Sequence, residues 1–314
     1  MLKQFNKSKT KTTMKKVFFS AAFMLLAASC SNDGSFDSSI NPSNEQVVAP
    51  VTVTTTTGFD ISQGEFTGTR ATAVGEYNGI QALTLVFYKT DGTQQYKCTH
   101  IKGDATTYET TFGEFSTSLP LGSYTMAVMG YNWNQELTFT SSTVAAFGTG
   151  PAHDTFANTQ EVNITNTTAV NLTATLQRIV TALAVRSTDN RPAGVTHMRI
   201  TYSAGSRSFN PTTCLAADNN GFVDLITFGG TVGTSIYSGD YFFLNTDEQT
   251  MDVTIETLDA ADGNVLFSKT FANVPFKRNR QTTLQGPIFT DGSANAGSFM
   301  VDADWITPVH TINF

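Results

Sequence analysis

Arg70 is the only Lys or Arg between Lys16 and Lys89, and it lies in the stretch "GEFTGTRATA". A lone guanidinium there offers one kind of chemistry, hydrolysis of the Arg70–Ala71 bond by a protease with an Arg pocket. Gly64 and Gly68 loosen the backbone, small residues flank the bond, and no neighbouring cation competes for the pocket. The bland reading of the same residue is a solvated loop Arg. Other chemistry is hard to assemble. His100, His153, His197 and His310 are scattered without metal-ligand spacing. No Gly-rich phosphate loop precedes a helix, and no G-x-S-x-G elbow occurs. The Asp and Glu residues fall in turns or alternate with apolar residues, so a glycosidase-type carboxylate pair would have to be made by the fold. We read the chain as a non-enzyme with no metal and no cofactor.

A second reactive residue stands near the start. "MKKVFFSAAFMLLAASC" carries Lys15 and Lys16, then an apolar run from Val17 to Ala28, then Cys30. The run is too short to span a bilayer as a helix and has the layout of a secretory signal. Its end resembles a bacterial lipobox, with small residues at Ala28 and Ser29, although Ala27 stands where Leu is usual. Cys30 would then be diacylated and become the mature N-terminus. An ordinary signal with an incidental Cys is the alternative. Ser31 after the Cys resembles outer-membrane sorting. "SNDGSFDSSINPSNEQ" is polar and reads as a tether. Residues 1–29 are therefore assigned to a signal peptide and 30–47 to a lipidated tether.

The elements that must hold these residues are strands. The 314 residues are 40% hydrophobic but only 14% charged, against roughly 25% charged in an average soluble domain. Thr, Asn, Ser and Gly fill the difference and favour strands and turns. The net charge of −7 and pI near 5.0 argue against a nucleic-acid partner. "VVAPVTVTTTTGFDI" alternates, with Val51, Val53 and Thr55 on one face. Asp91–Gly92 and Asp262–Gly263 each sit between two strand-like runs, a strong hairpin pattern. Only "STVAAFGT" hints at a short helix. Strands separated by turns every eight to twelve residues predict an all-β chain of two tandem sandwiches, 48–175 and 176–314, each with about seven strands. No Pro- or Gly-rich linker separates them, so end-to-end packing through a short connection is expected. Cys98 and Cys214 then fall in different domains and are expected as two buried thiols.

Three stretches together resemble the FimA-like fimbrillins, the subunits of type V pili. "VTVTTTTGFDISQGEFTGTRATAVGEYNGIQALTLVFYKTDG" resembles their start, where a first strand leads to an Arg and then an apolar strand. "FKRNRQTTLQGPIF" resembles a late strand entry, and "DADWITPVHTINF" the final strands. The resemblance implies transthyretin-like, Greek-key sandwiches behind a lipoprotein signal. It also implies a mechanism. The precursor reaches the outer membrane through its lipid, and an Arg-specific protease cuts after Arg70. The first strand, around Val47 to Ile61 with Val51, Val53 and Thr55, leaves a groove. A donor tail from the next subunit fills it: Val301, Ala303 and Trp305 alternate, Pro308 interrupts, and Ile312 and Phe314 alternate again. Before assembly the tail is expected as an ordinary closing strand. The implied partners are other fimbrial subunits, the outer membrane, the protease, and a host or bacterial surface ligand. The implied location is the cell surface and fimbrium.

Two other readings share these features. An anchor or accessory fimbrial lipoprotein would keep its lipid and never be cut at Arg70. A glycan-binding surface lipoprotein would use exposed aromatics, for which Tyr131, Trp133, Phe242 and Phe243 are the candidates; these are more often core.

Overall fold

The computed structural model describes residues 46–58, 72–108, 111–289 and 298–302. Its regular elements are strands apart from one 3-10 turn at Val74–Glu76, as the β-branched composition requires. The first ten strands are β1 (Val48–Thr57), β2 (Thr72–Ala73), β3 (Ala82–Lys89), β4 (Gln94–Ile101), β5 (Glu114–Pro120), β6 (Gly122–Tyr131), β7 (Thr138–Ser141), β8 (Val144–Ala146), β9 (Thr155–Ile164) and β10 (Val170–Arg178). Eight of them pair along the path β2–β1–β10–β9–β6–β3–β4, with β5 also beside β1. At the β10–β9 step only Gln177 and Arg178 pair, with Ala157 and Phe156. The path turns a corner there. The layer β5–β1–β10 faces the layer β9–β6–β3–β4, and one apolar core takes Val51, Val53 and Leu176 from the first and Leu85, Phe87 and Val128 from the second.

The remaining strands are β11 (Val180–Ser187), β12 (His197–Tyr202), β13 (Phe209–Asn210), β14 (Leu215–Ala216), β15 (Phe222–Thr227), β16 (Tyr237–Phe243), β17 (Glu248–Leu258), β18 (Val265–Lys277), β19 (Gln281–Gly286) and β20 (Ser298–Asp302). Two sheets, β16–β11–β19–β20 and β15–β12–β17–β18, enclose a second core that includes Val185, Leu284, Ile200 and Ile255. The all-β, two-sandwich expectation holds. The chain crosses from one sandwich to the other between Arg178 and Val180.

The two sandwiches repeat one topology. In the first, the opening strand β1 lies parallel to the last strand β10 and antiparallel to β5. In the second, the opening strand β11 lies parallel to β19 and antiparallel to β16. The opposing layers also match, β9–β6–β3–β4 against β18–β17–β12–β15. The strand β20 is an addition to this scheme.

The halves are joined more firmly than by a short connection. A four-stranded sheet, β14–β13–β8–β7, takes two strands from each half, with Phe209 paired to Ala145. A third core beneath it unites Val86 and Tyr131 with Phe147, Phe209 and Phe243. This covers the second face of β3, whose seven residues from Ala82 to Tyr88 are all buried, and explains why "ALTLVFY" reads as a continuous apolar run rather than an alternating one. The stretch expected as a short helix, "STVAAFGT", contains β8 instead, because Ala145 pairs with both Phe139 and Phe209. A buried ion pair completes the junction. Arg178 donates from Nε to Asp154 Oδ1 at 2.7 Å and from Nη2 to Oδ2 at 3.0 Å. Its Nη1 reaches Asn279 Oδ1 at 3.2 Å, and its guanidinium lies 4.8 Å from the centre of the Phe156 ring. Cys214 is a free, half-buried thiol. Cys98, buried in the first core, is disulfide-bonded, so the expectation of two buried thiols does not hold for it.

Candidate functional site

The candidate site is the slot that β1 fills. The strand alternates because its period of two puts every second side chain on the core face. Ala49, Val51, Val53, Thr55 and Thr57 are all buried there, none more than 2% exposed. Seven residue pairs join β1 to β10, from Val51–Val170 to Thr57–Leu176. Seven more join it to β5, from Val48–Pro120 to Thr54–Glu114. The first strand among the described residues is thus an interior strand, paired along both edges. Pro50, which has no N–H to give, falls just before the β10 pairing begins.

The far end of the slot is held by specific polar contacts. Gly113 O accepts from Thr55 N at 2.9 Å and from Thr55 Oγ1 at 2.8 Å. Gly113 has φ +103°, and a Cβ there would sit 2.8 Å from Thr55 Oγ1, so only glycine permits this approach. Gly58 N donates to Leu176 O at 2.9 Å. β2 pairs with the last two residues of β1, Thr56 with Ala73 and Thr57 with Thr72. Thr72 is two residues beyond Arg70. Cys30, Arg70 and Ala71 themselves lie outside the described residues, as do Ala303, Trp305, Ile312 and Phe314. Val301 lies in β20, opposite Thr282 of β19.

Two buried titratable groups flank the cores. His100 stacks on Phe115 of β5 with ring centroids 3.9 Å apart. Burial pulls its pKa from 6.5 to about 4. In the second sandwich two buried carboxylates feel the same cation: Arg207 pairs with Asp224 and also acts on Asp240, whose Oδ2 lies 3.5 Å from Tyr202 Oη. Burial pushes Asp240 up from 3.8 to about 7, against the pull of Arg207. Both carboxylates are buried, which denies a sugar access and makes the cluster part of the core. Sequence reasoning missed it, although an Asp inside the apolar run "SGDYFF" was the signal available.

The two sandwiches are expected to respond oppositely to pH. His100 favours the neutral form in the fold, so its contribution is complete above about 6.5 and is lost as pH falls toward 4. Asp240 favours the protonated form, so stability is greatest below about 4 and declines as pH rises toward 7. Amide hydrogen exchange should show the first sandwich loosening in acid. The second should tighten on moving from pH 7.5 to 5.5, both values inside or beside the windows just set. Asp240→Asn should flatten the second response; an unchanged response would reject the assignment.

Tyr131, Trp133, Phe242 and Phe243 do not form the exposed aromatic surface that a glycan binder would need. Tyr131, Phe242 and Phe243 are fully buried, Tyr131 Oη bonding Thr84 Oγ1 at 2.9 Å. Trp133 alone is half-buried, stacked on His153 at 5.7 Å. Among the described residues no group of three or more His, Cys, Asp or Glu could hold a metal, and no helix is long and apolar enough to cross a membrane.

Comparison with known proteins gives a family first. The family described as "Family of unknown function (DUF6562)" matches residues 44–313. No curated protein matches the chain. Among solved structures, a candidate adhesin from Bacteroides ovatus matches over 70% of this chain and 77% of its own, with 10% identity and a TM-score of 0.47. The fimbrial anchor protein Mfa2 from Porphyromonas gingivalis matches over 81% of this chain and 97% of its own, with 10% identity and a TM-score of 0.45. A candidate polysaccharide-binding protein from Bacteroides thetaiotaomicron matches over 72% and 80%, with 11% identity and a TM-score of 0.43.

Proposed function

The chain belongs to the family of unknown function that spans residues 44–313, and within it we propose a structural fimbrial subunit that serves adhesion at the cell surface and carries out no catalysis. It is exported as a lipoprotein through Cys30. It is cut after Arg70, loses β1, and polymerises when the C-terminal tail of another subunit enters the slot. The observation that carries this reading is the place of β1. The first strand among the described residues is interior, and it is tied to the rest by residues 59–71, in which Arg70 is the sole cation. One cut frees an interior strand from the covalent chain without breaking any other part of the fold.

Physical reasons favour refilling. Loss of β1 would leave the inward edges of β5 and β10 unpaired beside an apolar slot, which is a template for another strand. Strand addition restores both the backbone bonds and the side-chain packing. A tail-to-slot contact is heterologous, so it grows open filaments rather than closed dimers. Cleavage also separates the folded body from the lipid at Cys30, so release and opening become one event.

Arg70→Ala tests the reading. The variant is expected to accumulate as an uncut, lipid-bearing chain that forms no filaments. Filament assembly equal to that of the unaltered protein would refute cleavage and leave an uncut anchor or accessory role.

A further inference from the structure

The topological repeat exposes one unequal feature. In the second sandwich β19 carries β20 on the side away from β11. Its counterpart in the first sandwich, β10, carries no strand over residues 170–176 on the side away from β1, among the described residues. Burial follows the difference. Thr282, Thr283 and Leu284 of β19 are buried, whereas Val170 and Leu172 of β10 are only partly buried against the first core.

The direction of the free groups is fixed by two hydrogen bonds. Leu176 O accepts from Gly58 on the β1 side. Thr175 O accepts from Asn158 Nδ2 at 3.2 Å on the other side. Successive residues of a strand point their backbone groups to opposite edges, so Asn171 and Thr173 present theirs to the open edge. Asn158 thus already caps the Thr175 carbonyl where β10 turns toward β9, and the outward groups before it are left for an added strand.

This edge is also unguarded. Proteins blunt strand edges with charges, prolines and bulges. β5 has Glu114 and Pro120, and β4 has Lys97. β15 buries Asp224, and Arg207 caps its Val223 carbonyl at 2.6 Å. β18 has Pro275 and two register shifts against β17. The sequence "VNLTATL" of β10 has none of these.

We propose that the open edge of β10 docks β20 of a second copy, which keeps its own pairing to β19. The sheet β16–β11–β19–β20 of one copy then continues into β10–β1–β5 of the next. β20 is the occupant because it already fills this position on β19, the counterpart of β10, and among the described residues its own outer edge is open. The contact joins different surfaces of two copies, so it propagates. It needs neither cleavage after Arg70 nor loss of β1.

The test uses the exported chain with Cys30→Ser and Arg70→Ala, so that lipid and processing play no part and its outcome is separate from that of the cleavage model. Sedimentation velocity should show a mass that rises with concentration. The Asn171 and Thr173 amides should exchange more slowly at high concentration. Thr173→Pro removes one outward N–H without touching the β1 pairing and is tolerated at an edge; it should abolish the mass increase and leave the melting unchanged. A chain that stays monomeric throughout, Asn171 and Thr173 amides whose exchange ignores concentration, or a Thr173→Pro variant that associates like its parent would each overturn the proposal.

Discussion

Val53→Asp is expected to open the first sandwich while the second stays folded. Val53 is fully buried in β1, between Leu172 of β10 and Phe115 of β5. The change forfeits roughly 1.5–3 kcal/mol of apolar burial and leaves a carboxyl group without a partner at a further cost of about 1–3 kcal/mol, more if it stays charged. A whole domain is stable by only about 5–15 kcal/mol, so a combined loss of roughly 2.5–6 kcal/mol removes much of the margin. Amide hydrogen exchange should show fast exchange in β3, β6 and β9, with β12 and β17 still protected. A peptide of residues 46–58 with Val53 intact should restore protection in the first sandwich, because a slot paired on both edges accepts a strand in trans as it accepts β1 in cis. Protection equal to that of the unaltered chain would mean that β1 is dispensable and the slot is not an interior site.

Arg178→Met should be the most damaging single change at the junction, costing about 3–5 kcal/mol by stranding Asp154 as a buried, unpaired charge. Both side chains of this pair are under 10% exposed, and the guanidinium fork matches the carboxylate with two bonds. Asp154→Leu alone should cost a similar amount by stranding the cation. The double variant should recover most of the loss, since an apolar pair of similar volume replaces a buried ion pair at little net cost. Urea denaturation of the four proteins closes the cycle. A double variant less stable than either single one would show that Arg178 acts through Asn279 and Phe156 rather than through Asp154.

The parts of the fold that could be read in the sequence were those with local periodicity. The alternation of Val51, Val53 and Thr55 gives the buried face of β1. Asp91–Gly92 and Asp262–Gly263 give the β3–β4 and β17–β18 hairpins. The bridging sheet could not be read, because β13 and β14 are two residues each, too short to show a period, and their partner β8 lies in the other half of the chain. The "STVAAFGT" stretch suggested a helix for the same reason: its pairing with Phe209 is tertiary and overrides local preference. The junction ion pair was equally hidden, since Arg178 and Asp154 are 24 residues apart on different strands and loops and share no period, and the Asn279 amide that also bonds Arg178 is 101 residues away. The interior position of β1 followed from the family resemblance rather than from its residues. An alternating strand looks the same in sequence whether one of its edges is paired or both.

The measurement that tests the account most directly is the N-terminal sequence and intact mass of the protein taken from cell surfaces. The account predicts a chain that begins at Ala71 and carries no lipid, with β1 gone. A chain beginning at an acylated Cys30, with residues 48–57 still attached, would contradict it and make Arg70 an ordinary loop residue.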